Sequence, residues 1–257
     1  MNTSVAIVNW NSGKALAACV ESILALYPHM EISIVDNGSQ DHSITEALRH
    51  GDGIRITFQQ SNTGFAAGVN RAVGSLQTPY VLILNPDVLV RKGAIEAMET
   101  VLNQKPRVGA VGGYVNDNYL PRKLPTALDL IRQNLGLGGR GVIPRKRGEP
   151  YAVEQPAAAA IMVRRAAFQS IGGFDEQFFP AWYEDVDFCR RLIEAGWDIY
   201  FAPEAEFLHE GGYSAKAMGR RAFIEAYYHN QWRYAYKHCF RLDAYAVRAS
   251  KIGRAHV

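Results

Sequence analysis

The side chains from which this sequence could build a reaction fall into a few short clusters. The densest runs from Gly172 to Asp187, where acidic residues surround the aromatics Phe174, Phe178, Phe179, Trp182 and Tyr183. Glu184, Asp185 and Asp187 fall in the first turn of an expected helix, where the helix dipole favours acids whatever their function. Two adjacent carboxylates against Trp182 and Tyr183 also suit general-base chemistry, because an aromatic wall raises a carboxyl pKa toward useful values. Neighbours on a helix diverge by about 100°, so only one of Glu184 and Asp185 can face a substrate squarely.

Asn85-Pro86-Asp87 follows the wholly apolar run Val81–Leu84. Polar groups at the end of a buried strand face a crevice, and a carboxylate there can hold Mg²⁺ or Mn²⁺ against phosphate oxygens. Pro-Asp also serves a simple turn. His209 ends another strand-like run, and with Asp87 it would complete an oxygen/nitrogen metal site, although a lone His is more often structural. Asp36 ends a strand and precedes Asn37-Gly38-Ser39, so it reads equally as a turn residue or as an acceptor for a base imide or a ribose hydroxyl. In Asn62-Thr63-Gly64-Phe65-Ala66-Ala67-Gly68-Val69-Asn70, small residues open a helix. A helix N-terminus favours a diphosphate, and close packing of the helix on a sheet explains the glycines equally well.

The elements that must position these residues alternate. Strands are expected at 5–9, 32–36, 54–59, 80–84 and 108–111, with helices at 14–26, 43–49, 66–76 and 92–103 between them, each apolar at three- and four-residue spacing. Such alternation implies an α/β fold with a mainly parallel sheet, whose ligands bind beyond the carboxyl ends of the strands. Asn9, Asp36 and Asn85–Asp87 all fall at those ends. Residues 116–156, rich in Pro, Gly and basic side chains, read as a long mobile excursion; the Gly136–Gly141 run lacks the context of a phosphate cradle. Regularity resumes with strands at 157–164, 198–202 and 206–209, helices at 166–171 and 184–195, and a long helix from about Ala215.

The 257 residues, 48% hydrophobic and 21% charged, suffice for a substantial core and exclude a disordered chain. The net charge of +3 hides an asymmetry. Residues 216–250 hold seven Lys/Arg against Glu225 and Asp243, a net +5, and Lys251 and Arg254 add two more, which leaves residues 1–215 at −4. Cys19, Cys189 and Cys239 lie far apart with no C-x-x-C pair, so they read as buried thiols rather than a disulfide framework or zinc site. No secretory signal is expected, and the apolar runs are shorter than the roughly 20 residues of a membrane span.

The ordered motifs together resemble an inverting glycosyltransferase of the large family two with a GT-A fold, and within it the bacterial rhamnosyltransferases of polysaccharide synthesis. The resemblance is carried by Ile7-Val8-Asn9-Trp10-Asn11, Val35–Ser39, Asn62–Asn70, Leu84–Asp87, Gly172–Phe179, Tyr183–Arg191 and His209, and spans about residues 4–240. It implies a GT-A mixed, mainly parallel sheet flanked by helices. It implies that Asp36, with the backbone at Val8 and Asn9, reads the nucleotide, and that Asn62, Gly64, Gly68, Asn70 and Asn85 belong to the donor side. Asp185 matches the catalytic base, Asp87 and His209 match metal ligands, and Trp182, Tyr183 and Glu184 should line the acceptor and sugar pocket. Asn85 replaces the family's first metal-motif aspartate, so a divalent cation (Mg²⁺ or Mn²⁺) should be weakly held. The implied donor is a nucleotide sugar, foremost dTDP-L-rhamnose, with a UDP-hexose as the alternative and sugar nucleotidyl transfer a remoter one. The implied acceptor is a lipid-linked saccharide.

These readings divide the chain into a catalytic domain (1–214), a basic aromatic helical arm (215–250) and a tail (251–257). The tail's last six residues resemble a translated sequencing adapter and are expected to be foreign. The arm carries Phe223, Tyr227, Tyr228, Trp232, Tyr234, Tyr236, Phe240 and Tyr245 among its cations. It should either pack on the catalytic body or meet an anionic membrane surface, placing the protein peripherally on the cytoplasmic face; nucleic acid is not an expected partner.

Overall fold

The computed structural model describes residues 2–50, 53–138, 141–209 and 218–253. In chain order the elements are β1 (Thr3–Asn9), α1 (Ala15–Leu26), β2 (Ile32–Asp36), α2 (Ser43–Ala47), β3 (Ile54–Phe58), α3 (Phe65–Gly74), β4 (Tyr80–Leu84), β5 (Val88–Val90), α4 (Ala94–Gln104), β6 (Val108–Tyr114), α5 (Ala127–Leu135), β7 (Tyr151–Ala152), β8 (Ala160–Arg164), α6 (Arg165–Ser170), α7 (Glu184–Glu194), β9 (Asp198–His209), α8 (Arg220–His238) and α9 (Arg241–Ala249). The expected start of the last long helix near Ala215, the glycines after His209 and all but the first residues of the tail lie outside the described residues.

The strands form one sheet in the order β3-β2-β1-β4-β8-β6-β9-β5, with β7 added to β9. Pairing is parallel among β3, β2, β1 and β4, and the register sets Asn9 opposite Asp36. Beyond β4 the pattern changes. β8 runs antiparallel to both β4 and β6, and β5 antiparallel to β9, so the sheet is more evenly mixed than the alternation alone suggests. The reason is connectivity: β8 follows a long return across the sheet rather than a single crossover helix.

Period-two alternation along the strands sorts side chains to two faces. Val5, Ile7, Ile32, Ile34, Leu82 and Leu84 meet α1 and α4 on one face, whereas Ala6, Val8, Val35, Val81 and Ile83 meet α3, α6 and α7 on the other. A third cluster joins Leu130 of α5, Phe178, Tyr183 and Val186 before and in α7, Tyr234 and Ala235 of α8, and Ala244 and Val247 of α9.

That third cluster corrects two expectations. Residues 116–156 are not patternless: Thr126 and Asp129 form a capping box that starts α5, and Gly136, in the left-handed conformation, ends it. Arg122 bridges Val142 and Gln155, and the basic run at 144–147 is tied back through Arg145, which donates to Pro203 O and lies over the Tyr114 ring. The C-terminal segment is not one helix either. It breaks at Cys239 and Phe240, and α9 folds back to pack on α5 and α8. All three cysteines are free; Cys19 and Cys189 are buried and Cys239 partly so.

Candidate active site

A cleft of about 470 Å³ opens where β1 and β4 end, and its size is that of a small-molecule site. The walls include Val8, Asn62, Asn85, Asp87, Trp182, Tyr183, Glu184, Asp185 and His209. Nine residues singled out in the sequence, from five separate stretches of chain, thus converge on one space.

Asp87 and His209 are brought together by β5, a strand the sequence reading missed. Val88 pairs with His209 across β5 and β9, which sets Asp87 Oδ2 3.3 Å from His209 Nε2. Tyr119 packs on the His209 ring at 4.8 Å between centroids, with its hydroxyl 3.4 Å from Nε2. Burial, then the Asp87 charge, pushes the Tyr119 phenol above its ordinary value. The donor set fits a hard divalent cation, since a carboxylate oxygen and an imidazole nitrogen converge on the cleft, each side chain more than nine-tenths buried. Among the described residues no group of three His, Cys, Asp or Glu surrounds a single point, so the protein offers two strong ligands there.

The two carboxyls at the start of α7 have opposite surroundings. Asp185 Oδ1 accepts the Val186 N–H at 2.8 Å, and Oδ2 accepts from Gln155 Nε2 at 3.0 Å. Glu184 is buried, and its Oε2 has no hydrogen-bond partner among the described residues. Burial, then the neighbouring Asp185 charge, pushes the Glu184 carboxyl well above the usual carboxylate range. The adjacent carboxyls thus differ: burial favours the neutral form of Glu184, whereas Asp185 accepts a hydrogen bond at each oxygen.

The loop that presents this pair is held from the C-terminal layer. Trp182 and Tyr183 have φ of 75° and 70°, a left-handed backbone that costs a non-glycine residue roughly 1–3 kcal/mol. Asn230 of α8 donates to Phe179 O at 3.1 Å and Ala181 O at 2.8 Å, Phe223 meets Trp182 edge-on, and Tyr227 meets Tyr183. Phe223, Tyr227 and Met218 also line the cleft. The expected arm is therefore in part a wall of the site, which sequence reasoning missed; the i, i+4 spacing of Phe223 and Tyr227 was its available signal. Further along α7, Asp187 is fully buried. Burial alone would raise its carboxyl, but hydrogen bonds from His238 and Lys237 of α8 and from Arg191 hold it below the ordinary range.

Other expected residues lie off the cleft wall. Asp36 is buried and accepts from Asn9 Nδ2 at 2.8 Å, Ser39 Oγ at 2.6 Å and Ser39 N at 3.1 Å. Asn9 also donates to Ser43 Oγ, so the pair knits the ends of β1 and β2 together, while the adjacent Asn37 lines the cleft. A Cβ on Gly68 would come within 2.7 Å of Val8 Cγ1, so this glycine lets α3 lie close on β1. Gly64 has φ of 90° and faces Phe179 and Pro180, and the Phe65 N–H is spent on Pro180 O. Asn70 is turned from the cleft, donating to Phe174 O and accepting from Phe174 N. For Gly64, Gly68 and Asn70 the packing reading describes the contacts, because no first-turn N–H at Phe65 is left for a phosphate.

Comparison with known proteins agrees with this geometry. The family described as "Glycosyltransferase like family 2" matches residues 2–241. An N-acetylglucosaminyl-diphospho-decaprenol L-rhamnosyltransferase of Mycobacterium tuberculosis is 30% identical over 240 residues, covering 82% of this chain and 76% of that protein. The O-antigen chain rhamnosyltransferase WbaN of Salmonella anatum is 27% identical, covering 79% of this chain and 64% of its own length. Among solved structures, GalNAc-T7 with UDP, GalNAc and Mn²⁺ superposes with a TM-score of 0.64 at 16% identity, covering 80% of this chain and 43% of that one, which supports the GT-A fold. With its mixed sheet, its cleft at the strand ends and a match that runs nearly end to end, the chain belongs to the glycosyltransferase-like family 2 and is a glycosyltransferase.

Proposed function

We propose that the protein is an inverting transferase that moves L-rhamnose from dTDP-L-rhamnose onto a hydroxyl of a lipid-linked saccharide in cell-surface polysaccharide synthesis. The observation that carries the chemistry is the contrast at the start of α7, where Asp185 accepts a hydrogen bond at each oxygen beside a buried Glu184 whose Oε2 has no partner among the described residues, both on the wall of the cleft. The choice of sugar and acceptor is supported by the resemblance to the mycobacterial rhamnosyltransferase.

Asp185 takes the proton from the acceptor hydroxyl as that oxygen bonds the anomeric carbon. The bond from that carbon to the diphosphate oxygen breaks, and the nucleoside diphosphate leaves with its electron pair. A single displacement from the opposite face inverts the anomeric centre, so a β-linked donor gives an α-L-rhamnoside. Asp87 and His209 would hold a divalent cation, which when bound neutralises charge on the leaving diphosphate. Trp182, Tyr183, Phe223 and Tyr227 supply an apolar wall that excludes water from the reacting centre and offers ring faces to a sugar.

The same reading gives the α8–α9 corner a role. Phe240 and Leu242 are 83% and 85% exposed, Tyr236 and Tyr245 are about half exposed, and Arg233, Arg241 and Arg248 lie beside them in the sequence. Among the described residues no helix is long and apolar enough to cross a membrane. An anionic bilayer surface suits this mixture of cations and exposed rings, and would bring the enzyme to a lipid-borne acceptor. Sedimentation with vesicles containing anionic lipid should be lost in Phe240→Ser/Leu242→Ser; unchanged sedimentation would remove the corner from this role. For the reaction itself, a panel of dTDP-L-rhamnose, UDP-hexoses and GDP-mannose, each with and without Mn²⁺, should give binding and turnover with the dTDP sugar, and preference for a UDP-hexose would reassign the donor.

A further inference from the structure

Gln155 lies in the stretch Glu154-Gln155-Pro156, ahead of β8 and outside every motif that the family resemblance uses. Its burial is unusual for its type: the residue is 4% exposed on the wall of the cleft. Its backbone is fixed by two hydrogen bonds with Arg122, Arg122 N to Gln155 O at 2.8 Å and Gln155 N to Arg122 O at 3.1 Å. Its side-chain nitrogen donates twice, to Pro156 O at 3.1 Å and to Asp185 Oδ2 at 3.0 Å. Both acceptors lack a proton to give, so the amide has one workable orientation, with its NH₂ toward Asp185.

We infer that Gln155 is the positioning residue of the base: its amide fixes the Asp185 carboxylate in the orientation from which it takes the acceptor's proton. The inference rests on Asp185 being the base. With Oδ1 on the Val186 N–H and Oδ2 on Gln155, the carboxylate is held at both oxygens. A donor on the charged form also favours ionisation. Glu184 beside it has no such donor on Oε2, so Gln155 contributes to the asymmetry of the pair. Among the described residues, the titratable or charged groups near Asp185 include Glu184 and the buried Cys189 thiol on α7 and, on the same cleft, Arg122, Tyr183 and Tyr227.

The test uses the full chain, the best donor of the nucleotide-sugar panel and an alkyl-diphosphate N-acetylglucosamine acceptor. Gln155→Leu should lower kcat by about 30- to 100-fold with the donor KM within about twofold, the size of effect that misplacing a catalytic group produces. Gln155→Glu keeps the shape but can donate only when protonated. Its activity should therefore be lost at neutral pH and partly recovered in acid, moving the pH optimum down by about one unit or more, which a merely structural role would not do. Gln155→Leu with near-normal kcat, or Gln155→Glu with the wild-type pH profile, would overturn the inference while Asp185→Asn remained inactive. Near-normal turnover in Asp185→Asn would instead overturn the assignment of the base, and a wild type inactive with every donor would overturn the transferase reading, and the inference falls with either.

Discussion

The two walls of the cleft are built by different physics. One is the carboxyl edge of β1 and β4, where Val8, Asn85 and Asp87 line the cleft after locally patterned strands, and Asn9 and Asp36 knit the strand ends behind them. The other is assembled from the loop before α7, the stretch 116–156 and α8, which are far apart in sequence. Asn230 and Gln231 of α8 are fully buried, and Gln231 donates to Asn134 of α5, itself held to Ser250 past α9. A parallel sheet advertises itself in apolar runs a few residues long; a layer fastened by buried amides does not, because each amide makes sense only beside its distant partner. On the proposed function the first wall carries the candidate cation ligand Asp87 and the second presents the proposed base, so damage to each should have a distinct kinetic signature.

Loss of the proposed base aside, the largest effect should come from the first wall. Asp87→Ala removes one of two strong ligands and should cut turnover by about 10²–10³-fold, with Mn²⁺ titration shifted to higher concentration, an effect in the range of losing a single electrostatic stabiliser. Unchanged Mn²⁺ dependence would detach Asp87 from the cation. On the second wall, Asn230→Leu frees the strained Trp182–Tyr183 backbone from α8 and should lower kcat by about tenfold or more while donor affinity is retained. Equal losses in donor binding and kcat would mean that the walls are not separable. Asp187→Ala leaves Lys237, His238 and Arg191 around an empty place and should cost about 3–5 kcal/mol in denaturant unfolding. Smallest is Gly68→Ala, where the new methyl presses on Val8; about 1–3 kcal/mol of stability should go, with kcat little changed.

How much was legible follows the same division. The ranges of β2 and β4 agree with the expectation residue for residue, and β1, β3, α1 and α4 within one or two, because each has its own period and its own turn. Asp87, Asp185 and His209 were legible as candidates from their places at strand and helix ends, and the structure brings all three to one cleft. Three-residue β5 was not, since Val88–Val90 gains strand character only by pairing with β9. The capping box of α5 was present in the sequence but is hard to weigh inside a Pro- and Gly-rich run. Gln155 carried no local signal at all; its meaning comes from Asp185, 30 residues away in sequence. In the donor motif both readings offered by the sequence remain visible: Gly68 lets α3 pack closely on β1, while Asn62 lines the cleft.

The central claim is that α7 separates its two adjacent carboxyls into a charged base and a neutral neighbour, and one pair of variants measured across pH tests it. The raised folded pKa of Glu184 means that its contribution to stability is complete below the ordinary value of 4.5 and is lost as pH rises through the raised value. Glu184→Gln should therefore hold its melting temperature better than the wild type on the alkaline side and keep turnover within about fivefold, while Asp185→Asn binds donor but loses transfer by about 10³-fold. Near-normal transfer by Asp185→Asn together with its loss in Glu184→Gln would contradict the account.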